Sequence, residues 1–168
     1  IKSTLELSGT GAKFVNPAND DAVNYIIGIL EDLASYDVTG IILDRCRYDD
    51  NDLKSDFSEA SRKKFEEYIG KKVTNWPDDI FSPGQGSLEN YVTEMQRSWM
   101  TFRAKIIHDF MEKASDKVHS VNPDVRFGAY VGAWYSSYYM SGVNWASPNY
   151  SAKSAYSWAT PEYSQYGY

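Results

Sequence analysis

The residues with chemistry to offer gather in one stretch, Val38-Thr39-Gly40-Ile41-Ile42-Leu43-Asp44-Arg45-Cys46-Arg47-Tyr48-Asp49, where an apolar run breaks into charges. Ile41, Ile42 and Leu43 are apolar in succession, the pattern of a strand buried on both faces. Asp44 then stands at the carboxyl end of that strand, the edge of an α/β sheet or barrel where catalytic and ligand-binding groups collect. A carboxylate desolvated alone is costly, and Arg45 and Arg47 offer it a charge-assisted hydrogen bond from the same turn. The same pairing also fits an ion pair that merely closes the strand. Asp44 is the candidate catalytic residue, and Arg47, Tyr48 and Asp49 are the candidates beside it.

A second set of side chains has complementary chemistry. Sugar rings present apolar C–H faces ringed by hydroxyls, so a site for them needs flat aromatic platforms beside carboxylates, amides and guanidinium groups. The stretch 134–168 is rich in tyrosine and tryptophan, and Trp134, Tyr135 and Trp145 are the candidates to stack on sugar. For any single aromatic the competing role is to pack an irregular loop onto the body of the protein. Asn16, before Pro17, can orient a substrate hydroxyl through its amide or serve only as a turn residue.

Other constellations fail on spacing. Gly84-Gln85-Gly86 follows a proline-rich loop and not a strand, so it is no phosphate fingerprint. His108 and His119 lack a metal-ligand partner at the usual spacing. Asp50, Asp52, Asp56 and Glu59 are acidic enough for calcium, but Lys54 and a missing glycine depart from that loop pattern. Ser136, Ser137 and Ser141 lack the elbow of a serine nucleophile. Neither a metal nor a cofactor is expected.

The elements that must position these residues follow from periodicity. Thr4-Leu5-Glu6-Leu7 reads as the tail of a strand, and Ser8 to Gly11 as a loop. Acids after Asn16-Pro17 suit a helix start, and Val23, Ile26, Ile27, Leu30 and Leu33 predict a helix over about 20–35 that delivers the chain into the Ile41 strand. Asp56 and Glu59 have capping-box spacing for a short helix ended by Gly70. Trp76 and Phe81 are expected to pin the long loop that follows. Ser87 is expected to cap a long helix reaching Val118, which Asn122-Pro123-Asp124 stops. The run from Val125 to Gly132 predicts a second buried strand, with Gly128 and Gly132 leaving room for close neighbours. Strand, helices, strand is the order of a βαβ crossover with parallel strands, so the fold class is α/β. The stretch 134–168 should then lie on the same carboxyl-end face as Asp44.

The 168 residues suit one domain, and a net charge of −6 argues against nucleic acid and anionic membrane as partners. No run is long enough to insert in a membrane, and a neutral partner fits better. Cys46, the only cysteine, is expected to pack as a small apolar side chain. The chain starts on Ile1 without an initiating Met or a signal-peptide pattern, as a processed or excised piece would.

Taken together, Phe14-Val15-Asn16-Pro17, the helix after it, Gly40-Ile41-Ile42-Leu43-Asp44-Arg45-Cys46-Arg47-Tyr48, and Trp99 with Phe102-Arg103 resemble the family 10 glycoside-hydrolase-like proteins, barrel proteins distantly related to the α-amylase group. The resemblance implies that residues 1–168 are one segment of a (β/α)8 barrel, from about the third helix to the fifth strand and its loop. It makes Asp44 the strand-four carboxylate at a sugar site, as nucleophile or transition-state stabiliser, with Arg47 and Tyr48 beside it and Arg103 in a structural role. The implied function is hydrolysis of glycosidic bonds in an oligo- or polysaccharide by a carboxylate pair, with carbohydrate binding without turnover as the alternative. Export to the periplasm or cell surface is implied too. A full barrel needs roughly 250 residues, so this chain alone is expected to be inactive and to cover exposed strand edges by association with other copies.

Overall fold

The computed structural model describes residues 4–6, 13–48, 53–82, 93–133 and 137–146. A short strand β1 (Thr4–Glu6) pairs antiparallel with β2 (Lys13–Val15). The chain then enters helix α1 (Asp20–Ala34), whose N-cap Asn19 accepts the Ala22 N–H at 3.0 Å while Asp20 and Asp21 place negative charge in the first turn. Strand β3 (Gly40–Asp44) follows, then α2 (Glu59–Ile69), α3 (Glu94–Val121), β4 (Arg126–Tyr130) and a single turn of helix, α4 (Tyr138–Ser141).

Strands β3 and β4 are parallel and in register from Gly40 opposite Arg126 to Asp44 opposite Tyr130. Gly40 permits this approach, because a Cβ there would sit 3.1 Å from the Arg126 carbonyl oxygen. The α/β class and the parallel pair match the sequence expectation. The burial of β3 does not. Ile41, Leu43, Phe127 and Ala129 pack against α1 and α3, in clusters with Ile27, Leu30, Ala114, Val118 and Met111. The intervening residues lie on the opposite side, where Ile42 is 72% and Tyr130 69% exposed. A run of three apolar residues signals two apolar faces, but no described element covers the second one. Gly128 lies on that same open side, with nothing within 4 Å of where a Cβ would stand.

The largest core cluster is built by α2, α3 and the loops flanking α2, around Phe65, Trp99, Met100 and Phe102. Trp99 is fully buried and donates its indole N–H to the Leu53 carbonyl at 2.8 Å. Trp76 and Phe81 do pin the irregular loop: both join this cluster, and the Trp76 indole donates to the Phe57 carbonyl at 3.0 Å. Gly70, at φ 68°, closes α2 in the left-handed conformation that glycine tolerates. The Glu66 carboxylate then draws the chain back, accepting from the Val73 N–H at 3.1 Å and pairing with Lys72 at 2.6 Å. Lys72 foremost, with the Val73 amide, holds the Glu66 carboxyl down to about 2.

Two helix starts differ from expectation. The cap of α2 is Ser58, which accepts the Ser61 N–H, because Asp56 has φ 68° and an N-cap needs extended backbone. The long helix starts on Thr93 and not on Ser87: Thr93 accepts the Gln96 N–H at 3.1 Å and the Gln96 side chain accepts the Thr93 N–H at 3.2 Å. That reciprocal box satisfies two otherwise orphaned donors.

Candidate functional site

Asp44 ends β3 on the open side of the sheet, exposed, directly opposite Tyr130 in the ladder. Residues in register share a face, so the carboxylate and an exposed phenol stand side by side at the carboxyl end, above Ile42 and Gly128. The chain turns at once. Arg45 takes φ 53°, and the Arg47 N–H donates to the Arg45 carbonyl at 2.8 Å. Arg45 is exposed and Arg47 half-buried. Tyr130 was not among the sequence candidates, because only the register between the two strands sets it beside Asp44.

Asn16 and Tyr48 sit inside the protein. Asn16 is 1% exposed; its amide nitrogen donates to Asp56 Oδ1 and to Ser58 Oγ, each at 2.8 Å, and its oxygen accepts the Ala18 N–H at 2.7 Å. The amide thereby ties the entry of α1 to the approach to α2, which is the turn role that its place before Pro17 also allowed. Tyr48 is equally buried, and the guanidinium carbon of Arg103 lies 4.0 Å from the centre of its ring. Burial raises the Tyr48 hydroxyl well above the ordinary phenol range, and that hydroxyl has no hydrogen-bond partner among the described residues.

These side chains belong to one buried polar node. Asp56 accepts from Asn16, from Ser58 Oγ at 3.0 Å and, in a short contact, from Ser61 Oγ. Burial pushes its carboxyl up to about 6, opposed by the serine hydroxyls and by the Arg103 charge. Arg103, fully buried on α3, donates to Ser55 Oγ at 3.0 Å. Sequence spacing marked Asp56 only as a cap or calcium ligand. Its left-handed backbone, which aspartate tolerates better than most residues, is invisible in a spacing pattern.

Of the aromatic candidates, Trp145 packs half-buried against the cluster of Tyr48, Ile107 and Met111, and its carbonyl lies 3.1 Å from His108 Nδ1. Asp49, Trp134 and Tyr135 lie outside the described residues, as does most of 134–168. Cys46 lies half-buried, with Sγ 3.6 Å from Met111 Sδ, and burial pushes its thiol up to about 12. That is the apolar packing role its sequence suggested.

A separate cleft runs between α1, α2 and α3, floored by Phe102, Ile106 and Phe110. Its rim cations are engaged: Lys64 with Asp20 at 2.5 Å, Lys105 with Asp109 at 2.7 Å and Lys113 with Asn24 at 2.6 Å. No residue of β3 or β4 contributes to it, so it is separate from Asp44.

The family described as glycosyl hydrolase-like 10 matches residues 2–152. An S-layer-related protein of Niallia circulans is 36% identical over 159 residues, which cover 89% of this chain and 10% of that protein. The chain thus spans about a tenth of the length of that relative. No helix among the described residues is long and apolar enough to cross a membrane.

Proposed function

This chain belongs to the glycosyl hydrolase-like 10 family, and from that membership we propose that it is the part of a (β/α)8 glycan-active barrel that supplies one carboxylate, Asp44. The observation that carries the reading is the position of Asp44: exposed, at the carboxyl end of a parallel strand, on the face turned away from α1 and α3. In a barrel that face lines the interior, and carboxyl ends hold the reacting groups. Further strands flanking β3 and β4, contributed by chain outside these residues, would cover Ile42. Tyr130 beside Asp44 then offers an aromatic platform for a sugar ring. Arg47, in the turn that follows Asp44, flanks the site.

Glycoside hydrolysis needs a second carboxyl group across the scissile bond, about 5–5.5 Å away for retention of configuration and 6.5–9.5 Å for inversion. Among the described residues of β3 and β4 on the open face, Asp44 is the one carboxylate. This favours a partner carboxylate from another strand of the longer protein. The same observation supports a second reading, in which the site binds glycan without turnover. The S-layer-related name of the relative supports a cell-surface setting for the whole protein.

Asp44→Asn in the complete protein separates the two. The catalytic reading expects turnover to fall by about 10²–10⁴-fold with oligosaccharide affinity retained. Unchanged turnover removes Asp44 from the chemistry, and binding with no turnover in the parent protein establishes the second reading.

A further inference from the structure

Two loops leave the carboxyl ends of the parallel pair: one carries Tyr48 soon after Asp44, the other carries α4. Among the described residues they meet at a buried junction. The Tyr48 N–H donates to the Ser141 carbonyl at 2.9 Å, and the Tyr48 ring lies beneath the Arg103 guanidinium. Gly142, at φ 68°, seats its backbone directly on this pair: a Cβ there would stand 3.1 Å from Tyr48 Cδ2 and 3.3 Å from the Arg103 carbonyl oxygen. Arg103 belongs to α3, whose buried face extends down to Val118 and the approach to β4. From that anchor it also holds Ser55 and faces Asp56, on the segment leading to α2.

We propose that Tyr48 and Arg103 are a positioning pair, which locks the loop after β3 to the loop after β4 so that the rim of the Asp44 site moves as one unit. Burying a guanidinium is costly, and apolar side chains of similar volume often stabilise a core as well or better. A planar cation stacked on a ring and aimed at a serine hydroxyl fixes direction and register, which an apolar contact does not. The direction fixed here is that of the chain just beyond Asp44. The functional consequence rests on the reading of Asp44 as a glycan-site carboxylate; the mechanical coupling does not.

The test is amide hydrogen exchange on the complete protein, with Arg103→Met, Tyr48→Leu, Tyr48→Phe and Gly142→Ala compared against the parent. Arg103→Met and Tyr48→Leu are expected to speed exchange in segments 45–48 and 138–143 together, by about tenfold or more, while α1 is unchanged. Gly142→Ala should give the same paired response from the opposite loop, and it carries the test if Arg103→Met fails to fold. Tyr48→Phe, which keeps the ring, should behave like the parent. In a turnover assay the loosened variants should lose kcat with KM little changed. Faster exchange in one loop without the other, or equally fast exchange in α1, overturns the pair's positioning role. Coupled exchange with kcat unchanged retains the lock and counts instead against Asp44 as the reacting group.

Discussion

Asp56 gives the fold a pH dependence of unusual sign for a carboxylate. Burial is the largest influence on it and pushes it from an ordinary 3.8 up to about 6, against the pull of Ser61, Ser58 and Arg103. The folded chain therefore holds this proton more tightly than the unfolded chain. The stability linked to the protonated carboxyl is complete below pH 3.8 and is lost as pH rises through about 6. At about 1.4 kcal/mol per tenfold change in acidity, the full loss is ~3 kcal/mol, roughly half of it between pH 5 and 7.5. The serine hydroxyls suit both states, since each can rotate from donor to acceptor. Asp56→Asn removes the titration and keeps the shape. Urea unfolding followed by tryptophan fluorescence, run on both proteins from pH 4.5 to 8, isolates the effect, because other carboxylates cancel in the difference. The parent should lose stability relative to the variant as pH rises. A difference that does not vary with pH, or one of opposite sign, would mean that Arg103 and the hydroxyls outweigh burial, and the reasoning would fail.

Three further outcomes follow from named contacts. Ile42→Ser should reduce self-association of the isolated chain in sedimentation velocity, because Ile42 is 72% exposed on the uncovered sheet face; unchanged association would place the contact elsewhere. Gly28→Ala should raise unfolding stability by about 0.5–1 kcal/mol, since Gly28 is exposed inside α1 with room for a Cβ. Trp145→Ala should lower unfolding stability by about 2 kcal/mol, from the half-buried ring lost against Tyr48, Ile107 and Met111. An oligosaccharide affinity that falls further than stability does would give Trp145 a sugar-stacking role as well.

The elements whose signals are local were legible in the sequence. Asn19 and the two acids after it announce α1, Gly70 ends α2, and Asn122 ends α3, because each acts through its own backbone neighbourhood. Where two caps compete, the pattern needs more than one residue: Thr93 prevails because Gln96 reciprocates. Ile41-Ile42-Leu43 told that both faces of β3 are apolar, but what covers each face is decided by chain far away in sequence, or outside these residues. The same limit hid the buried node. Asn16, Tyr48, Asp56 and Arg103 look like turn, site, cap and helix residues along the chain, and only the tertiary fold brings them together. Asp44 alone was placed by strand-end logic where the ladder has it, and Tyr130 needed the register between the strands.

Glycan handling on the open sheet face with Asp44 can be tested by a crystal structure of the complete protein carrying Asp44→Asn with an oligosaccharide bound. The expected result is a sugar ring against Tyr130 and a glycosidic carbon or oxygen within about 3–3.5 Å of the residue-44 side chain, a near-attack distance. An oligosaccharide bound only elsewhere, for example in the cleft between α1, α2 and α3, would contradict it.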